Sequence, residues 1–238
     1  MVENKYGIWI TGASSGIGRA AAIEFARVGT NVCVSSRRVS ELQRLNSELN
    51  EEKLAVNIYP CNVASSANVE QTVKKIFSEN NINCLINNAG ITSFKKAELN
   101  SVQEINDIIN TNLLGSIYTI KYVLPHFIEK GGGTIINILS VVTKKIFTHS
   151  SAYAASKMGL MGYTNSLREE IRKYNIRIIN IIPGATDTSM WSSEVRKVNS
   201  EKMIKPEDIA QLIVRLYLQK GNMVTEEIMV RPITGDLD

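Results

Sequence analysis

Short apolar runs alternate with longer helix-like stretches along the whole chain, and few folds accommodate that rhythm. The strand-like runs are Gly7–Thr11, Asn31–Ser36, Ala55–Pro60, Cys84–Asn87, Gly133–Ser140, Ile176–Ile182 and Glu227–Val230. Several, such as IINIL and IRIINII, are apolar almost without a break, the pattern of strands covered on both faces. Between them lie helical stretches; the one starting near Ser40 carries S-x-x-Q, with Ser40 and Gln43, which predicts a capping box. The expected fold is α/β, a doubly wound parallel sheet with helices on both faces. No repeat, low-complexity tract or linker interrupts residues 1–238, so a single domain is expected. In such sheets ligands bind beyond the carboxyl ends of the strands, which directs attention to the loops after each strand.

Composition narrows the function classes. With 44% apolar and 21% charged residues, 238 residues can build a large core. The net charge of +4 comes from Lys and Arg scattered in ones and twos, with no stripe or tail of the kind nucleic acid requires. Cys33, Cys61 and Cys84 are odd in number and lack C-x-x-C spacing, which reads as buried thiols in a reducing compartment. His126 and His149 lie far from every cysteine, so no metal site is expected. No apolar run reaches membrane-spanning length. The opening MVENKYGIWITG runs almost directly into a strand and leaves no room for a signal peptide, so a cytoplasmic protein is expected.

The first strand, IWIT, runs through GASSGIG into the helix RAAAIEFARVG. Gly12, Gly16 and Gly18 are spaced G-x-x-x-G-x-G, unlike the usual dinucleotide fingerprint G-x-G-x-x-G. The physics is shared: glycines permit a tight turn, and the free N–H groups of a helix N-terminus face a pyrophosphate. Ser14, Ser15 and Ile17 complete that loop. The second strand ends in Ser35-Ser36-Arg37-Arg38, where an NAD enzyme usually places an acidic residue for the ribose. Two cations before a helix oppose its dipole, and an adenosine 2′-phosphate would explain them. Arg37 follows the strand directly and is the stronger candidate; Arg38 assists.

Later come Ser140 at a strand end and then Tyr153 and Lys157 in SSAYAASKMG. Their i, i+4 spacing sets Tyr and Lys on one helical face. A phenol of pKa about 10 is a weak acid–base group at neutral pH, and a neighbouring ammonium lowers that value. Tyr153 could then pass a proton to a carbonyl oxygen as hydride arrives at carbon, with Ser140 hydrogen-bonding the same oxygen.

Taken together, TGASSGIG, NNAG at Asn87–Gly90, Asn112, Ser140, Tyr153, Lys157 and Pro183–Gly184 resemble the short-chain dehydrogenase/reductase family, in the family's order and over nearly the whole chain. The resemblance implies a Rossmann-like sheet of about seven strands and a catalytic tetrad of Asn112, Ser140, Tyr153 and Lys157. It implies that Lys157 holds the nicotinamide ribose and that Asn112 anchors a water leading from Lys157 to solvent. Asn88, Ala89 and Gly90 would line the adenosine side; Pro183, Gly184, Thr186 and Thr188 would line the nicotinamide, and the arginines resemble NADP-preferring members. Asn62 and Val63 stand in CNV, where the family usually has an aspartate for the adenine amino group; an Asn oxygen can still accept that bond.

Other features carry two readings each. His149 either touches substrate or is solvated. Met190 and Trp191 either line the pocket or pack a short helix. The substrate lobe, around residues 188–205, is brief and suggests an open site. The helix Leu113–Ile128 carries an ordinary core stripe. The helix from Ser151 onward is apolar almost all round, which predicts a homodimer or homotetramer covering it. The pairs Lys95–Lys96 and Lys144–Lys145 lie in loops on the expected site rim, where their field would gather an anionic substrate. The leading expectation is an NADP(H)-dependent oxidoreductase acting on a small-molecule carbonyl or alcohol. A 3-oxoacyl-thioester reductase shares every motif, and a non-catalytic NADP-binding regulator is the reading from another class.

Overall fold

A computed structural model of the chain describes residues 6–237. Seven strands form one sheet in the order β3-β2-β1-β4-β5-β6-β7, every neighbouring pair parallel. In chain order these are β1 (Gly7–Thr11), α1 (Gly16–Arg27), β2 (Asn31–Ser35), α2 (Val39–Glu51), β3 (Asn57–Ile58), α3 (Ser66–Glu79) and β4 (Ile82–Asn87). Then follow α4 (Val102–Ile108), α5 (Gly115–Glu129), β5 (Gly133–Ile138), α6 (Ser151–Ile171), β6 (Ile176–Pro183), α7 (Ser193–Asn199), α8 (Pro206–Leu218) and β7 (Glu227–Val230). The order reverses between β1 and β4. The crevice at their carboxyl ends is therefore the place where this topology leaves room for a ligand.

The period-2 alternation of the strands loads both faces. Ile8, Ile10, Val34, Ile86 and Ile136 pack on Phe25 of α1, Leu42 of α2 and Ile213 of α8. Trp9, Leu85, Ile135 and Ile178 pack on Val73 of α3, Phe127 of α5 and Leu167 of α6. On that second face a polar row crosses the sheet. Asn87, Asn137 and Asn180 stand in register on β4, β5 and β6, and each is at most 3% exposed. Thr119 of α5 donates to Asn87 (2.6 Å), Asn87 to Asn137 (3.1 Å), Asn137 to Asn180 (3.0 Å), and Asn180 to Thr164 of α6 (3.1 Å). Buried amides are tolerated because each finds its partner, and the row pins to the sheet the helix that carries Tyr153 and Lys157.

The element ends differ from the sequence expectation in ways that have causes. β3 shrinks to two residues, since it is an edge strand paired only with β2 and Pro60 lacks a donor. β5 stops at Ile138, so Ser140 heads a 3₁₀ turn (Val141–Thr143). The capping box at Ser40–Gln43 does not form: α2 begins at Val39 behind Arg38 and has no side-chain cap. Instead the Ser36 hydroxyl takes the Arg38 N–H at 3.0 Å. A capping box does form at Ser101 and Glu104, ahead of α4. The helix expected from Leu113 begins instead at Gly115, after a π-helical turn (Ile109–Leu114) that holds Asn112. The three cysteines are buried free thiols, as expected. No helix among the described residues is long and apolar enough to cross a membrane.

Candidate active site

The turn after β1 is pressed against the loop after β4. Gly12 has φ +67°, and a Cβ there would sit 2.7 Å from the Ala89 Cα, so only glycine closes this turn. Asn88 seals the contact: its side-chain N–H donates to the Thr11 and Gly12 carbonyls (3.0 and 3.1 Å), while Thr11 Oγ1 accepts the Asn88 and Ala89 N–H groups. Gly16 (φ +55°) admits the Thr188 methyl, which a Cβ would meet at 2.9 Å. Ser15 caps α1 without a side-chain bond, and the helix N-terminus opens into the cleft.

One cleft of about 900 Å³ joins the predicted residues. It runs from Gly12, Ser14, Ser15, Gly16 and Ile17 past Arg37, Arg38, Asn62 and Val63 to Asn88, Ala89 and Gly90. Beyond them it reaches Ser140, Tyr153 and Lys157, with Pro183, Gly184, Thr186 and Thr188 along one side. Gly18 and Asn112 lie outside the lining. Gly18 packs under Asn88. Asn112 is wholly buried and clamps the Ile91 backbone, accepting its N–H (2.8 Å) and donating to its carbonyl (2.9 Å) and to Ser156 Oγ (3.0 Å). Its side chain therefore holds the loop that faces Lys157.

The two arginines differ in their contacts. Arg38 turns its guanidinium onto the glycine loop, donating to Ser14 Oγ (3.0 and 3.2 Å) and Ser15 Oγ (2.7 Å). Arg37 lines the cleft with no side-chain bond among the described residues. The local turn through Ser36 is the reason: it swings the second arginine, not the first, toward α1.

Tyr153 and Lys157 are 6% and 4% exposed. Burial pushes the phenol up to about 12, and the neighbouring Ser140 hydroxyl pulls the other way. Burial also pulls the Lys157 ammonium down to about 8. Lys157 Nζ donates to the Ile138 carbonyl at 2.7 Å and stands 5.8 Å from the Tyr153 ring centroid. Desolvation thus dominates the phenol, opposite in direction to the lowering that the Tyr–Lys spacing suggests. One acceptor for an ammonium leaves two N–H donors for hydroxyl groups in the cleft.

Past Tyr153 the wall turns aromatic. Phe94 stacks on Trp191 (centroids 5.0 Å, planes 16° apart) and meets the Tyr153 ring edge-on at 6.4 Å. Trp191 and Met190 thus line the cleft, as do Phe147 and His149, the latter with φ +62°. Phe94, Phe147, Asp236 and Leu237 escaped the sequence reading. An aromatic four residues beyond Gly90, in a strand-end loop, was the available signal for Phe94; nothing local marks the C-terminal pair. Three of the four lysines expected to gather an anionic substrate have carboxylate partners within the chain. Lys95 pairs with Glu104, Lys144 with Glu227 (2.9 Å) and Lys145 with Asp236 (2.8 Å), so carboxylates of the chain itself neutralise three of the four lysines.

Residues 7–199 match the family described as short chain dehydrogenase. A sepiapterin reductase of Chlorobaculum tepidum is 35% identical, the match covering 98% of this chain and 98% of that one. An NADP-dependent 3-hydroxy acid dehydrogenase of Schizosaccharomyces pombe is 33% identical over 94% of this chain and 92% of its own length. Among solved structures, a metagenomic short-chain oxidoreductase in complex with NADP superposes with a TM-score of 0.84 at 27% identity, covering 96% of this chain and 97% of that chain.

Proposed function

Since the chain belongs to the short-chain dehydrogenase family of oxidoreductases, we propose that it is an NADPH-dependent reductase of a neutral, ring-bearing carbonyl compound. One observation carries the reading: Tyr153, Lys157 and Ser140 converge on the same cleft as the glycine loop and Arg38. The residues fit the dinucleotide. A helix N-terminus and a glycine turn would receive the pyrophosphate. Arg38, which has no ion-pair partner among the described residues, would receive the 2′-phosphate, with Ser14 and Ser15 beside it. The two remaining Lys157 donors suit ribose hydroxyls. Bound NADPH would supply the hydride.

The chain's own residues supply the rest. With a pKa near 12, Tyr153 is protonated at neutral pH and already in the form a general acid needs. Its Oη donates a proton to the carbonyl oxygen as charge develops there, and Ser140 hydrogen-bonds the same oxygen. The phenolate left behind is the species that a nearby Lys157 ammonium stabilises. Asn112 keeps the Ile91 loop in place beside them. The stacked Phe94 and Trp191 favour a flat substrate next to Tyr153, consistent with the sepiapterin reductase name of one relative. The whole of residues 1–238 would act as one domain with its substrate lobe around residues 188–205. Exposed Leu99, Val102 and Met158 support a homo-oligomer.

NADPH oxidation followed across aryl ketones, sepiapterin, 3-oxo acids and 3-oxoacyl thioesters tests the reading. Turnover of the flat neutral carbonyls is expected to exceed that of the acids and thioesters. Tight NADPH binding with no turnover of any of them would return the chain to the regulator reading.

A further inference from the structure

The pair Lys144–Lys145 lies in the loop that leaves Ser140 and leads to Tyr153, and it reaches the other end of the chain. Lys144 pairs with Glu227 on β7, and Lys145 pairs with Asp236 in the tail beyond it. That tail is not a free end. The Gly184 N–H, in the loop after β6, donates to the Val230 carbonyl at 2.7 Å, which fixes where the tail leaves β7. The Gly235 N–H closes on the Pro232 carbonyl at 2.9 Å, and Gly235, at φ +95°, turns the chain back on itself. The turn delivers Asp236 and Leu237 to the lining of the cleft. The Asp236 carboxylate is 10% exposed and accepts from Lys145 (2.8 Å) and twice from Arg231 (2.6 and 3.1 Å). Arg231 belongs to the tail, so Lys145 is the ion-pair tie from Asp236 to the loop that carries Phe147. Lys145 Nζ also stands 5.3 Å over the Phe147 ring, another cleft wall.

We infer that residues 231–237 form a specificity-determining wall of the substrate half of the cleft, clasped shut by Lys145 and Asp236. The inference rests on the reductase reading only for what the cleft is used for. An exposed ion pair alone holds little. Here three nitrogens, one of Lys145 and two of Arg231, make charge-assisted bonds to one carboxylate, and such bonds are stronger than neutral ones. Opening the clasp releases the tail and the 141–149 loop together, so the substrate half widens while the glycine-loop half is untouched.

Asp236→Asn and Lys145→Ala test the inference. Either variant should raise the dissociation constant of 2-acetylnaphthalene roughly fivefold, and KM with it, with kcat and NADPH affinity within about twofold of wild type. Ketone binding is read from the fluorescence of Trp191, the only tryptophan besides the buried Trp9. The effects of the two substitutions should be less than additive in the double variant, because the Lys145–Asp236 pair can be lost only once. Amide exchange in the peptide spanning 228–237 should accelerate in each variant, and Asp236→Glu should restore much of the loss. Unchanged exchange would overturn the clasp, and faster exchange with unchanged ketone affinity would overturn the wall. A wild type that binds ketones but reduces none would sink the reductase reading alone, since the fluorescence and exchange arms need no turnover.

Discussion

The glycine-loop half of the cleft hangs on strand ends, whereas the half beyond Tyr153 hangs on loops. In the first, Gly12, Asn88 and Thr11 are locked by backbone contacts at the switch between β1 and β4. In the second, Phe94, Phe147, Trp191 and Asp236 come from four segments held by ring stacking and exposed ion pairs. Strand ends are positioned by a sheet whose core side chains are almost wholly buried. Loops are positioned by contacts individually worth about 1 kcal/mol or less. The difference teaches where variation is tolerated. The cofactor half cannot shift without disturbing the sheet, while the substrate half can be rebuilt one loop at a time.

Tyr153 stands at the junction, and its oxygen is the largest single lever. Tyr153→Phe should leave NADPH binding and the melting temperature near wild type and reduce turnover ~10²–10⁴-fold. Steady-state kinetics beside a cofactor titration check this, and a phenylalanine variant with near-native turnover would remove Tyr153 from the chemistry.

Lys157 sharpens the contrast by setting function against stability. Its folded-state pKa of about 8 lies below the ordinary 10.5. Folding therefore sheds a proton between those values, and stability rises with pH through that window. Below pH 8 the fold carries a buried ammonium at a cost on the order of 3 kcal/mol. Lys157→Met should thus abolish most turnover yet raise the melting temperature at pH 7, with the advantage shrinking toward pH 10.5. Melts at pH 7 and 9.5 measure it; a variant less stable at pH 7 would show that the Ile138 carbonyl bond outweighs the desolvation.

The smallest expected effect separates the two arginines. Arg38→Ala should weaken NADPH by roughly one to two decades, the worth of a charge-assisted contact, and NADH much less. Arg37→Ala should cost roughly threefold or less, since Arg37 makes no bond to the loop. Equal NADH and NADPH affinity in the wild type would refute the 2′-phosphate assignment for both.

Local sequence determined the parts whose physics is local. Short, near-continuous, β-branched apolar runs between turn residues suit strands buried on both faces, and a Tyr and Lys four apart on a helix share a face. Those facts pointed to the sheet and to one helical face for Tyr153 and Lys157, which with Ser140 line one cleft. Tertiary structure alone decided which charges meet. Lys144, Lys145 and Lys95 read as solvated or substrate-facing residues because their partners lie 83, 91 and 9 positions away. The buried row Asn87–Asn137–Asn180 was invisible for the same reason: each asparagine is costly alone and satisfied only once three strands stand in register. Arg38 reaches Ser14 and Ser15 beyond a turn closed by one hydroxyl bond at Ser36, which no spacing rule encodes. Periodicity reports which face a side chain takes; which partner it finds depends on distances that exist only after the sheet has formed.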